Sequence, residues 1–200
     1  MRPGPVRRAR AGFTLIEALI ALSLVAIVVV KITLVMSSAS DASAKQSAAM
    51  TLEDQARRVL DQIAYAIMSA DREALFPDPE SPNYSTEVTY RISLGVDSGE
   101  VIWSDEEAIG LGVRGNQVVW RQNPGMPEER RVAWCNVVRP FMEGEIPNGA
   151  DDNDNGLADE EGLSFTLLRN SVTIRLCLER PQKDGSTLTE PVETVVTVRN

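Results

Sequence analysis

An α+β fold is predicted: one long N-terminal helix followed by a mostly antiparallel β-sheet. No Gly or Pro interrupts residues 13–76. Pro77, Pro79 and Pro82 then end that stretch and open a loop. Beyond them the chain turns to short runs rich in β-branched and aromatic residues, separated by Gly, Asn and Asp.

The bulk composition narrows the function. A chain of 200 residues suits one ordinary domain with an attached element. The formal net charge of -9 matches a phosphate backbone poorly, so nucleic acid is not an expected partner. There is no His, which removes the commonest general base, the Ser-His and Cys-His nucleophile pairs and the usual zinc ligand. Two cysteines alone cannot build a zinc site.

The start of the helix is the most informative segment. Arg2, Arg7, Arg8 and Arg10 precede Gly12 without an accompanying acid. Residues 13–30 then read FTLIEALIALSLVAIVVV, long enough as a helix to cross a bilayer core of about 30 Å. Glu17 is the one charge inside this stretch, and Lys31 follows it. The arginines favour a cytoplasmic N-terminus with everything after the span outside. A secretory signal peptide, cut near 37–40, accounts for the basic start but not for so long an apolar run. A plain signal anchor accounts for the length but gives Glu17 no purpose, and an ionised carboxylate in lipid costs several kcal/mol unless partnered.

A third reading explains both features. The run Gly12, Phe13, Thr14, Leu15, Ile16, Glu17 resembles the prepilin signature of type IV pilins and type II secretion pseudopilins. The resemblance implies cleavage between Gly12 and Phe13 by prepilin peptidase, N-methylation of Phe13 and a retained Glu17 that serves assembly. It implies a single-pass protein of the bacterial inner membrane with its C-terminal part periplasmic, and other pilin or pseudopilin subunits as partners. The chemistry is coherent: cleavage leaves a cationic amine on Phe13, and Glu17 lies one helical turn away. Pairing with a neighbour's amine would neutralise a carboxylate otherwise stranded in lipid. Loss of the leader removes four arginines, so the mature chain is more acidic (-9 minus 4 gives -13, before the new amine).

The sequence divides accordingly into a removed leader (1–12), a membrane half of the helix (13–36), an exposed amphipathic half (37–76) and a β-rich domain (77–200). From Leu52 an apolar stripe runs through Ala56, Val59, Leu60, Ile63 and Ile67, and is expected to pack on the sheet. Strands are expected at 87–94, 101–104, 117–122, 130–138, 163–168, 171–179 and 194–198, with turns at 115–116 and 169–170. This layout is similar to the J-type minor pseudopilin of type II secretion, which implies a minor subunit near a filament tip. Cys135 and Cys177 both fall in expected strands. With the domain outside the cytosol, a disulfide between them is expected.

Residues 148–162 form an acidic loop. From Asp151 it reads Asp-x-Asn-x-Asn-Gly-x-x-Asp, which resembles the first nine positions of an EF-hand-type calcium loop. Expected ligands of a structural Ca2+ are Asp151, Asn153, Asn155, the Leu157 carbonyl and Asp159. Glu160 or Glu161 stands in for the bidentate Glu, because position twelve is Gly162. The other reading is a solvated acidic turn. Carboxylates gathered in one loop look like ion ligands and not like a catalytic pair, so no enzyme is expected. The leading reading is a structural subunit of a secretion pseudopilus or type IV pilus. The alternative is an adhesive, ligand-binding minor pilin with a calcium-stabilised exposed domain.

Overall fold

The computed structural model describes residues 14–80 and 83–198. Gly12, Phe13 and Pro82 lie outside the described residues. The chain divides into two units, Met1–Gln46 and Ser47–Asn200. The helix α1, Leu15–Met68, runs through the boundary.

In the first unit the α1 side chains from Leu15 to Met36 are solvent-facing in the isolated chain. In the second unit α1 buries Leu52, Ala56, Val59, Leu60, Ile63 and Ile67, the stripe expected from the 3.6-residue period. That stripe joins one core with Val88, Tyr90, Ile109, Phe165, Ile174 and Leu176. The charged side chains Arg57 and Glu53, one turn apart at 2.9 Å, stay exposed.

The helix ends at Met68, eight residues short of the expected Phe76. Tertiary pairing overrides the absence of helix breakers. Asp71 N donates to Arg91 O at 2.8 Å, and Phe76 and Thr89 exchange backbone bonds at 2.8 and 2.9 Å, so the segment is claimed by the sheet.

The strands are β1 (Asn83–Ser85), β2 (Glu87–Tyr90), β3 (Ser93–Asp97), β4 (Glu100–Trp103), β5 (Glu107–Leu111), β6 (Val118–Gln122), β7 (Arg130–Cys135), β8 (Leu163–Leu168), β9 (Ser171–Pro181) and β10 (Thr187–Thr197). They form two four-stranded sheets, β1-β8-β9-β10 and β2-β5-β6-β7, and a two-stranded ribbon, β3-β4. Every strand pair is antiparallel. The fold is therefore α+β as expected.

Several elements depart from the sequence reading: β1 was not expected, and the strand expected at 87–94 is divided between β2 and β3, which belong to different sheets. β5 was not expected, because Gly110 interrupts its short apolar run. The glycine is required there: a Cβ at Gly110 would stand 2.9 Å from Cβ of Glu87, its partner across β2. β10 begins at Thr187, seven residues before the expected start, and runs through Pro191. It is an edge strand paired only with β9, so a residue without an N–H is tolerated in it.

Candidate functional site: the N-terminal helix and the acidic loop

Thr14 and Glu17 close a capping box at the start of α1. Thr14 N and Thr14 Oγ1 both donate to Glu17 Oε2 at 2.9 Å, and Glu17 N reaches Thr14 Oγ1 at 3.4 Å. The cap satisfies amide groups that no preceding turn can bond. It also folds the Glu17 carboxylate back onto Thr14. Thr14 was not singled out from the sequence, although its Thr-x-x-Glu spacing is a known helix-start signal.

Further along, the hydroxyls in the apolar stretch turn onto the helix itself. Ser23 Oγ donates to Ile20 O at 2.8 Å, Thr33 Oγ1 to Val29 O at 2.9 Å and Ser38 Oγ to Leu34 O at 3.1 Å. Polar groups that would be unsatisfied in hydrocarbon are thereby bonded within the segment. By length and composition α1 is long and apolar enough to cross a membrane.

The acidic loop lies in the second unit and is folded by its own carboxylates. Asp151 accepts from Asn155 N at 3.1 Å and Gly156 N at 2.7 Å. Asn153 Oδ1 accepts from Asn155 N at 3.1 Å, and Asn155 Oδ1 from Leu157 N at 2.9 Å. Asp159 accepts from Asn148 N at 2.9 Å and Gly149 N at 3.0 Å. Glu161 is exposed, and its backbone N–H donates to Tyr84 Oη at 3.1 Å.

Two glutamates point inward. Glu145 is 2% exposed and accepts from Asn153 N at 3.2 Å and Asp159 N at 3.1 Å. Glu160 is fully buried and is held by Ser164 Oγ at 2.8 Å, by the Asn155 side-chain amide and by Arg175 Nη1 at 3.3 Å. Burial pushes the nearby Tyr84 phenol up; an accepted bond from Glu161 N opposes this, and the charges of Glu160, Glu161 and Glu145 add to it. Glu145 gives no sequence signal of its inward role, since its loop has no periodicity to read.

The expected ligand set is therefore only partly gathered. Asp151, Asn153, Asn155 and Glu160 share one hydrogen-bonded neighbourhood, while Asp159 is turned onto Asn148 and Gly149. Among the described residues no group of three or more His, Cys, Asp and Glu stands ready to hold a metal ion. The twelfth loop position has a steric explanation. A Cβ on Gly162 would lie 1.8 Å from Arg139 O, so no side chain fits there.

The expected disulfide is corrected by the structure: Cys135 and Cys177 are both buried free thiols. They belong to different sheets, β7 in one and β9 in the other. Cys135 Sγ accepts from Gln55 Nε2 at 3.6 Å. Burial raises Cys135, and it pushes Cys177 up to about 11 despite the nearby Arg139.

Residues 7–30 match the family model of the prokaryotic N-terminal methylation motif. No curated protein and no solved structure matches the chain significantly. The matched segment holds the expected cleavage position, Thr14 and Glu17, and it opens the apolar half of α1. The chain thus carries a prepilin-type N-terminal methylation motif at the head of a helix long and apolar enough to cross a membrane, with antiparallel sheets behind it, a layout consistent with a pilin-like fold.

Proposed function

We propose that the chain is a structural minor subunit of a type II secretion pseudopilus or a type IV pilus. It is cut between Gly12 and Phe13, methylated at Phe13 and assembled through α1. The observation that carries this reading is the placement of Glu17, the lone charge of the apolar stretch, at the capped start of the helix inside the methylation motif. The layout of helix, Pro-rich loop and strands resembles the J-type minor pseudopilin. The globular part then lies on the periplasmic side of the inner membrane, and the role is assembly without turnover.

Substitution Glu17→Gln tests the reading cleanly. A glutamine still closes a capping box, so the helix start is kept while the charge is removed. Membrane insertion and cleavage stay normal, and incorporation into filaments falls at least tenfold. Full incorporation of the variant refutes a charge-pairing role. Mass spectrometry of the mature N-terminus finds methyl-Phe13; a chain that begins at Met1 or beyond Ser37 refutes the processing.

The second reading, an adhesive minor pilin whose exposed domain is stabilised by calcium, draws on the inward-facing Glu145 and Glu160 and on the negative field they set at Tyr84. A Ca2+ ion here would draw Asp151 and Asn153 oxygens from the amides they now accept. A ligand that binds the native state alone raises its melting temperature. The same midpoint in millimolar calcium and in chelator removes this reading.

A further inference from the structure

The second unit carries two complementary surfaces that the N-terminal motif does not use. Between α1 and the sheet β2-β5-β6-β7 lies a groove of about 580 Å³. Tyr65, Trp120 and Trp134 line it with aromatic rings, Asp61 and Glu107 supply its charges, and no Lys or Arg takes part. Trp120 Nε1 donates to Glu107 Oε2 at 2.9 Å, which fixes ring and carboxylate together. Tyr90, also lining the groove, is buried beneath it.

The turn from β5 to β6 has the opposite character. Val113 is 98% exposed, the exposed Arg114 beside it has no ion pair among the described residues, and the turn is held rigid. Gly112 N donates to Gln117 O and Gly115 N to Gly112 O, both at 2.8 Å. Glu107 begins β5 and Val113 follows its end, so turn and groove stand about 20 Å apart along one strand direction.

We infer that the Val113–Arg114 turn of one copy seats in the aromatic groove of a second copy. Charge complementarity selects this occupant. The Val113 side chain meets the rings, and the Arg114 guanidinium lies over an aromatic face between Asp61 and Glu107, where a cation is favoured. Donor and acceptor are different patches of the same chain, so the contact is heterologous. It does not close a two-fold dimer but repeats from copy to copy. The inference rests on the filament reading and adds a contact between globular parts to the one made by the helices; a short run of copies satisfies it.

The test is disulfide trapping of the full chain in membranes, with Val113→Cys and Gln62→Cys combined. Both positions are exposed, and the native thiols are buried. Mild oxidation of the double variant gives a ladder of multimers that reductant collapses, whereas a mixture of the two single variants stops at dimers. Adding Arg114→Glu weakens the ladder at least tenfold, and adding Asp61→Arg to that variant restores it. Absence of bands above the monomer overturns the inference, as does an equal ladder from Val113→Cys with Ser186→Cys. So does a dimer from Val113→Cys alone. The N-terminus is sequenced from the same sample. A processed chain without a ladder sinks this contact and leaves the filament reading standing, and an unprocessed chain sinks both.

Discussion

Replacing Arg175 by Met leaves the Glu160 carboxylate charged, buried and without its cation. Glu160 is fully enclosed, and Arg175, whose side chain is 18% exposed, also reaches Glu193 Oε2 at 2.6 Å and Thr166 Oγ1 at 3.2 Å. Methionine keeps most of the aliphatic stem, so packing is largely retained and the lost quantity is charge. Breaking a buried pair by removing one partner costs about 3–5 kcal/mol. Here Ser164 and Asn155 still donate to the carboxylate, which puts the expected cost at the lower end, about 3 kcal/mol. For a chain of this size that lowers the melting temperature by about 6–12 °C.

Urea and thermal unfolding of the full chain in detergent micelles at pH 7 measure the effect. Two companions discriminate the cause. Glu193→Gln removes only the solvent-exposed arm of the network and costs less than about 1 kcal/mol. Glu160→Gln combined with Arg175→Met removes both charges and costs less than Arg175→Met alone, because a neutral amide is far cheaper to bury. A single variant within 1 kcal/mol of wild type, or a double variant more damaged than the single, refutes the account of Glu160 as a charge enclosed with its cation.

Other outcomes follow from the same structure. Ile63→Ala, at a fully buried position of the α1 stripe, costs about 2–5 kcal/mol by urea unfolding and leaves N-terminal processing unchanged. Cys177 has a folded pKa raised from 9.0 to about 11, so between those values the unfolded chain has released a proton that the native one keeps; stability therefore falls as pH rises from about 9 to about 11. Cys177→Ala flattens that part of the pH profile. At pH 8 neither cysteine reacts appreciably with iodoacetamide until urea is added, as peptide mass mapping of the alkylated thiols checks.

The helix was readable because both of its halves announce themselves by pattern: an unbroken apolar run, then six residues at helical spacing that all proved buried. Glu17 stood out because a carboxylate in such a run demands a reason. The Thr14 hydroxyl carries an equally local signal, the Thr-x-x-Glu spacing of a helix start. The sheet was harder. β5 hides behind Gly110, whose need is visible only once Glu87 stands across from it. β10 hides behind Pro191, which reads as a breaker unless one knows that the strand has a free side. The end of α1 at Met68 and the separation of the cysteines are set by partners far away in sequence, which no local pattern encodes. In the acidic loop, composition pointed to a cation, whereas the fold spends most of those oxygens on its own amides.

Pro191 also bears on how the chain avoids sticking to copies of itself. The outer side of β10 is an open row of peptide groups, the kind of margin along which chains stick together irreversibly. A proline midway deletes one donor from that row, and Glu190 and Glu193 set negative charges close to it. Copies of the chain that meet along this margin are thus kept from zipping into amyloid-like ribbons.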